Sequence, residues 1–353
     1  MPSTIPTKLH WEIGTAYDLF ICLRALHNPE RFSLRPSWAA GVRSRLPAEQ
    51  RKVLETADQV INGHIWFVFN LPKPKGSAEV LKALQALPAE QRLSALSFHY
   101  DTPEDYKAIL LGASAGRKWS EAEVEVLHST SRFRDQPVNL PYLELLRQVW
   151  SNRREFGESY LAALQSFVSH FFLEEEQRLL PVLRKGLSHA QMRAGSLPLP
   201  KMLEELSSGV RYKDLDKVSD LYLAPSFWGA PLLFIENVNH SGALLMLFGA
   251  RPDDMALIPG EVVPDSLLRG LKALADPTRL RILRYIAQSP ETAAQLSRSL
   301  RLRPPTVAHH LNELRMAGLV QVIVNPEGER QYATRYDGFS SLKDLLNLFI
   351  HGD

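Results

Sequence analysis

The sequence predicts a mainly α protein: a large helical N-terminal domain with a small β-sheet, followed by a C-terminal α+β module. Three observations carry this expectation. Apolar residues recur at helical spacing from His10 to Leu215. Short apolar runs separated by Pro, Gly and Asn follow Asp220. From Pro264 onward, four short helical patterns precede two β-rich runs joined by turn residues.

The 353 residues are 45% hydrophobic and 23% charged, ordinary for a globular chain of two or three domains. The single cysteine, Cys22, excludes an internal disulfide and any site built from several thiolates. In its apolar helix it reads as a buried small hydrophobe. A lone thiol fits a reducing compartment, and the expected location is cytoplasmic. Met1–His10 lacks a charged start followed by an apolar run, so no signal peptide is expected. The longest apolar runs, Ala16–Leu26 and Ala230–Leu247, are interrupted by Asp18 and Arg24 and by Glu236, Asn237, Asn239 and His240. Neither reaches the roughly 18 unbroken apolar residues of a membrane span. Net charge is only +2, but its distribution is uneven. From Pro264 on there are 12 Lys and Arg against nine Asp and Glu, leaving −1 for the rest of the chain. Such an asymmetry permits a polyanion at the C-terminal end.

Taken in order, Leu19, Leu23 and Leu26 share a helical face. A second helix is expected over Arg45–Ile61, with Pro47 near its start. Leu71–Gly76 is a breaker-rich connector. Helices follow over Ser77–Leu87, Pro88–Leu96, Pro103–Leu111 and Ser120–Ser129, the last opened by a Ser120/Glu123 capping-box spacing. Leu140–Leu183 holds two or more helices, with Leu161, Leu164, Val168, Phe171 and Phe172 as an apolar stripe. His170 and Glu174, and the run Glu174–Glu176, read as solvated helix faces. Strands are expected at Leu221–Ala224, Leu232–Ile235 and Ala243–Phe248, followed by a linker over Arg251–Pro264. All six tryptophans, Trp11, Trp38, Trp66, Trp119, Trp150 and Trp228, precede that linker. With Phe67, Phe69, Phe133, Phe156 and Phe171 they suit either plain core packing or an apolar pocket for a small-molecule effector. No glycine-rich phosphate loop, Gly-x-Ser-x-Gly or His-Glu-x-x-His is present, and no enzyme is expected.

The C-terminal module starts with a helix from Pro264 or Asp265 to Ala275. Asp276-Pro277 then supplies an N-cap and a first-turn proline for a second helix, with Leu280, Leu283, Tyr285 and Ile286 as its inward face. Thr292–Leu300 forms a short third helix, and Arg301–Arg303 a tight turn. Pro304-Pro305 opens a fourth helix that Gly318 stops. Short helix, turn, helix is the helix-turn-helix arrangement, whose second helix enters the major groove of DNA. Val307, Leu311 and Leu314 face the core, which leaves Pro305, Thr306, His309, Asn312 and Glu313 outward and His310 on the flank. Leu319–Val324 and Arg330–Arg335, joined by Asn325–Glu329, read as a β-hairpin wing whose Arg330 and Arg335 suit phosphates or a minor groove. An amphipathic helix over Phe339–Ile350 ends the module, with Leu342, Leu345, Leu346 and Phe349 on one stripe.

Leu271–Leu283, Thr306–Val320 and Gly328–Tyr332 together resemble the ArsR-type family of winged helix-turn-helix regulators. The resemblance covers roughly the last quarter of the chain. It implies a homodimer joined through the first and last helices of the module. It also implies contact of Thr306, His309, His310 and Arg330 with double-stranded DNA. The expected DNA-binding set is therefore Arg303, Pro305, Thr306, His309, His310, Asn312, Arg330 and Arg335, and the dimer set Leu342, Leu345, Leu346 and Phe349. Thr292–Arg298 offers none of the thiols, and the last helix none of the paired carboxylates and histidines, through which members of that family hold metals. No metal and no cofactor is expected. The residues before the module faintly resemble an uncharacterised domain found fused ahead of such modules, around Leu23–Leu26 and Trp38.

The expected protein thus has two parts, 1–260 for sensing or dimerisation and 261–353 for DNA. It would read a near-palindromic operator as a homodimeric repressor. The other organisation the sequence allows is an N-terminal protein-interaction or enzymatic domain anchored to DNA by the winged helix.

Overall fold

The computed structural model describes residues 7–32, 34–130, 137–212, 215, 218–230, 234–239, 242–252, 255, 263–324 and 329–351. Phe133, Leu232, Leu233, most of the expected linker and the wing turn 325–328 lie outside the described residues.

In chain order the first part contains β1 (Lys8–Trp11), α1 (Thr15–His27), α2 (Pro36–Ser44), α3 (Ala48–Val60), α4 (His64–Phe69), α5 (Ser77–Ala86) and α6 (Ala89–Ser97). It continues with α7 (Glu104–Leu111), α8 (Glu121–Thr130), α9 (Leu140–Ser151), α10 (Arg153–Phe167), α11 (Leu173–Ser196) and α12 (Leu199–Leu206). Then come β2 (Val210–Tyr212), β3 (Asp220–Ser226), β4 (Phe234–Asn237) and β5 (Leu244–Gly249). The C-terminal elements are α13 (Asp265–Leu274), α14 (Pro277–Ile286), β6 (Glu291–Thr292), α15 (Ala293–Leu300), α16 (Pro304–Met316), β7 (Val320–Val324), β8 (Arg330–Thr334) and α17 (Tyr336–His351). Among the described residues no helix is long and apolar enough to cross a membrane.

The chain divides into two compact units, one from residues 14–180 with 238–240, the other from residues 1–13, 181–237 and 241–353. The first is helical. Its core holds Leu161, Leu164, Val168, Phe171 and Phe172, the expected stripe, with Trp150 and Phe167 fully buried. A single π-helical turn, Val168–Phe172, follows α10. Ser120 and Glu123 form the expected reciprocal cap at α8. Cys22 is buried, and burial raises its thiol pKa well above the ordinary range. The run Glu174–Glu176 is not a solvated face: only Glu174 is exposed, Glu175 is buried against Arg178 at 2.6 Å, and Glu176 accepts a 2.9 Å bond from the Ser77 amide. Helical geometry turns consecutive residues to different sides, so a run of like charges can straddle a buried boundary. Trp150 is core, whereas Trp38, Trp66 and Trp119 are half-buried.

His64 stacks on Phe20 at 4.4 Å and lies 3.2 Å from the Tyr160 hydroxyl. Burial, helped by Arg24, pushes its pKa down to about 3. The unfolded chain takes up a proton near pH 6.5 that the folded ring refuses, so this ring's contribution is complete above that pH and is lost as pH falls toward 3. Stability should therefore fall by up to about 1.4 kcal/mol per pH unit across that window. His64→Phe should flatten the pH dependence of the urea midpoint by about one proton, and an unchanged slope would show that His64 does not carry it.

Among the described residues, the second unit contains two sheets. The first has the order β1-β3-β5-β4, with β1, β3 and β5 parallel and β4 antiparallel to β5. Leu221, Leu223, Met246 and Phe248 pack with Ala190, Met202 and Leu203 into its core. The strands expected at 221–224 and 243–248 are present as β3 and β5, only Phe234 and Ile235 of the strand expected at 232–235 are described, within β4, and β1 is an addition that pairs with β3 some 210 residues away. Trp228 is buried core here, and Trp11 is half-buried. The second sheet, β2-β7-β8-β6, joins three strands of the C-terminal module to β2. There Leu267, Ile282, Leu296, Val307, Leu311 and Leu314 are core.

Candidate nucleic-acid interface

Each helix of the module is fixed by a local device the sequence spells out. The Asp276 carboxylate accepts the Arg279 amide at 2.9 Å and so caps α14, with Pro277 in the first turn. That amide holds the Asp276 carboxyl below the usual carboxylate range. The Arg279 side chain turns back and donates to the Ala273 carbonyl at 2.8 Å and the Lys272 carbonyl at 2.7 Å. It thereby satisfies the terminal carbonyls of α13. Thr292 and Gln295 close a capping box at α15. Arg301 ends α15 at φ +55°, and the Leu302 amide reaches back to the Ser297 carbonyl at 3.0 Å. This left-handed residue makes the turn tight, in a conformation that non-glycine residues adopt at a cost.

In α14 one expectation is corrected. Ile282, Leu283 and Ile286 point inward, while Leu280 and Tyr285 are exposed at 49% and 39%. At about 100° per residue, both lie about 110° from the centre of the buried stripe.

α16 opens with Pro304 and Pro305, neither of which has an amide to offer, and its Thr306 amide is bound to the Arg303 carbonyl at 3.0 Å. Charge for a polyanion at this end must therefore come from side chains. Arg301 and Arg303 are both exposed there. Val307, Leu311 and Leu314 are fully buried. Pro305, Thr306, Ala308, His309 and Asn312 are exposed along the opposite side, while Glu313 is half-buried. His310 is turned inward, its Nδ1 4.0 Å from an Asp276 oxygen, and burial holds its pKa below the ordinary imidazole value against the pull of that carboxylate. The two adjacent imidazoles thus differ in kind: His309 faces solvent and His310 faces the cap of α14.

Of the wing residues, Arg330 is exposed and pairs across from Val324 at the strand ends nearest the turn. Arg335 lies at the opposite end of the hairpin, its amide bonded to the Leu319 carbonyl at 2.9 Å. Its side chain covers Gly209 and Gly318. The expected dimer set is split. Leu342 is buried against Gly270, where a methyl would lie 2.4 Å from its Cδ1. Leu345 and Leu346 are half-buried, and Phe349 is 42% exposed. Leu348, Ile350 and, on α13, Leu271 add to the exposed apolar surface and had not been expected.

Sequence reasoning also missed Arg269. This α13 residue is 8% exposed, and its Nη1 donates to the Met316 carbonyl at the end of α16 at 3.2 Å. Burial lowers its pKa, opposed by Asp265 and Glu313. A lone arginine at the centre of an otherwise amphipathic helix gives no such signal in the sequence. Among the described residues, no three His, Cys, Asp or Glu side chains come together as metal ligands.

Residues 276–322, which span α14 to β7, match the family described as bacterial regulatory protein, arsR family. They form an arsR-family helix-turn-helix domain. A 51-residue stretch is 41% identical to an uncharacterized HTH-type transcriptional regulator of Methanocaldococcus jannaschii. The alignment covers 14% of this chain and 57% of that relative, so the chain spans little more than half the length of the relative it matches. No solved structure matches. α13 precedes the matched segment, and β8 and α17 follow it.

Proposed function

We propose that this protein is a sequence-specific DNA-binding transcriptional regulator in which α16 reads base edges. The observation that carries this is the division of α16 within an arsR-family domain. Val307, Leu311 and Leu314 lock one side into the core, while Pro305, Thr306, His309 and Asn312 stand exposed on the other. A helix so held presents short polar groups and one ring donor to a major groove. Arg303 at its start and Arg330 on the wing flank that surface as phosphate-binding cations. His310 supports the surface from behind, and Arg335 supports the base of the wing.

Leu271 on α13 and Leu348, Phe349 and Ile350 on α17 are exposed apolar side chains that a second copy would cover. A symmetric dimer would place two copies of α16 about one DNA turn apart, or a multiple of it, on a near-palindromic operator. In this reading the protein acts in the cytoplasm as a repressor. Residues 261–353 bind DNA, and residues 1–260 sense an effector or extend the dimer.

The test is fluorescence anisotropy with labelled DNA from the protein's own upstream region, random duplex as competitor, and a salt series. Tight binding that resists the competitor and weakens steeply with salt supports the reading. Equal affinity for both duplexes removes it. His309→Ala should reduce the preference for operator over random DNA by about 5- to 150-fold, the loss of one good base contact worth about 1–3 kcal/mol. If the preference survives, His309 does not read a base. Arg330→Ala should weaken all duplexes alike and reduce the slope of log affinity against log salt by about 1. An unaltered slope takes Arg330 off the phosphate backbone.

A further inference from the structure

The wing of the arsR-family domain has a fourth strand drawn from well outside the matched segment. β2 runs parallel to β7 with Val210 opposite Val322, Arg211 opposite Ile323 and Tyr212 opposite Val324. Val324 in turn pairs with Arg330, so the added strand reaches the level of the wing arginine. Without β2 the outer side of β7 would be an open strand edge.

The connection into β2 is built for this docking. The Ser208 and Gly209 amides close α12 by donating to the Glu205 carbonyl at 3.2 Å and the Glu204 carbonyl at 2.7 Å. Both residues have positive φ, +54° and +99°. Ser207 is buried, and its hydroxyl accepts the Val210 amide at 3.0 Å and donates to the Val210 carbonyl at 3.1 Å. The Gly209 carbonyl then accepts the Val322 amide of β7 at 3.1 Å. A methyl at Gly209 would lie 2.9 Å from Arg335 Cδ and 3.3 Å from Gln321 Cβ, so the backbone seats directly on the wing. Val210 and Val322 are both buried, and Arg211 ties the strand back to α12 through a 2.8 Å bond to Glu204.

We infer that residues 207–212 are a wing-positioning element: this strap between α12 and β7 holds the wing, and with it Arg330, in the orientation that engages DNA. The inference rests on the DNA-binding reading above. A strand fixed along its edge loses less freedom on binding than one hinged only at its base, so affinity depends on the strap. Arg335 takes part as a positioning residue, since its side chain covers Gly209 rather than projecting from the wing tip.

The test is Gly209→Val in the full-length protein, with Gly209→Ala as the milder variant should valine prevent folding. A β-branched residue cannot hold φ near +99° and would clash with Arg335 and Gln321. Hydrogen exchange of the Val322 amide should accelerate at least about tenfold, and affinity for the upstream DNA should fall about tenfold. Adding Arg330→Ala to the variant should cost much less than it does in wild type, because the arginine is no longer held in place. A deprotected Val322 amide with undiminished affinity would overturn the inference. So would a Val322 amide that stays protected, or full additivity with Arg330→Ala. Absence of preferential DNA binding by wild-type protein would instead overturn the functional reading, whereas wild-type binding matched by the variant overturns only the strap.

Discussion

Gly338→Val should destabilise the arsR-family domain by more than about 3 kcal/mol and remove its DNA binding with it. Gly338 lies in the first turn of α17, and it is buried. A Cβ there would sit 1.9 Å from the Gly318 carbonyl oxygen and 2.9 Å from its carbon. These are backbone atoms, so no side-chain rotation relieves the overlap. Gly318 cannot simply retreat, because it holds φ +72° where α16 ends, and its amide is bonded to the Arg315 carbonyl at 2.8 Å. The adjoining Leu319 is fully buried and Leu319 amide bonds the Leu314 carbonyl at 3.0 Å. Relief must therefore come from moving α17 away from the end of α16, which opens the core around Leu342. Calorimetry should show the transition that reports this domain displaced to lower temperature, and anisotropy should show no operator binding at 37 °C. A variant that melts with wild type would mean that α17 can shift without loss, and that the close approach carries no stability.

The second large effect is expected at Glu176, within the helical unit. Its carboxylate accepts the Ser77 amide at 2.9 Å and also hydrogen bonds from the Ser77 and Thr15 hydroxyls. Ser77 is the first residue of α5 and Thr15 the first of α1, and both are buried. One anion thus serves the starts of two helices, where amides lack intrahelical partners and the helix dipole favours negative charge. Glu176→Ala should cost about 2–4 kcal/mol. The Ser77 amide has no rotational freedom with which to seek another acceptor, whereas the two hydroxyls can turn. Glu176→Gln keeps an acceptor but loses the charge, and should cost roughly half as much. Denaturant unfolding of the three proteins, read from tryptophan fluorescence, measures the order. If glutamine proves as damaging as alanine, charge rather than hydrogen bonding dominates, and if neither destabilises, the carboxylate is not a structural cap.

These two sites mark where sequence reasoning ends. At Glu176 the sequence shows three consecutive glutamates, and a run of like charges ordinarily belongs in water. Its partner Ser77 lies 99 positions away, a distance no local pattern spans. Gly338 looks like a helix-weakening residue at the edge of an amphipathic segment, and only the proximity of Gly318 explains why it has no side chain. The same division runs through the candidate interface. His309 and His310 are adjacent and chemically identical, yet one faces solvent and the other the Asp276 cap. Helical phase predicted an outward His309 and a flanking His310, whereas the family resemblance implied that both touch DNA. For Arg330 and Arg335 no such rule existed: both are basic residues of the hairpin segment, and the placing of the half-buried Arg335 over Gly209 depends on a strand from another part of the chain.

What the sequence by itself determined is everything governed by neighbours a few residues apart. The Asp276 cap with Pro277, the Thr292 start of α15, the double-proline opening of α16, its Val307–Leu311–Leu314 stripe and the β7–β8 hairpin all belong here. Each rests on a hydrogen bond or packing contact inside one or two turns, which residue type and spacing encode directly. Only the tertiary structure decided the pairing of β1 with β3 and of β2 with β7, the exposure of Leu280 and Tyr285, and the burial of Arg269, Glu175 and Leu342. Strands of three or four residues are too short to show alternation, and they gain their hydrogen bonds from partners more than a hundred residues distant. A side chain's burial likewise depends on which surface meets it, and that surface exists only once the chain has folded.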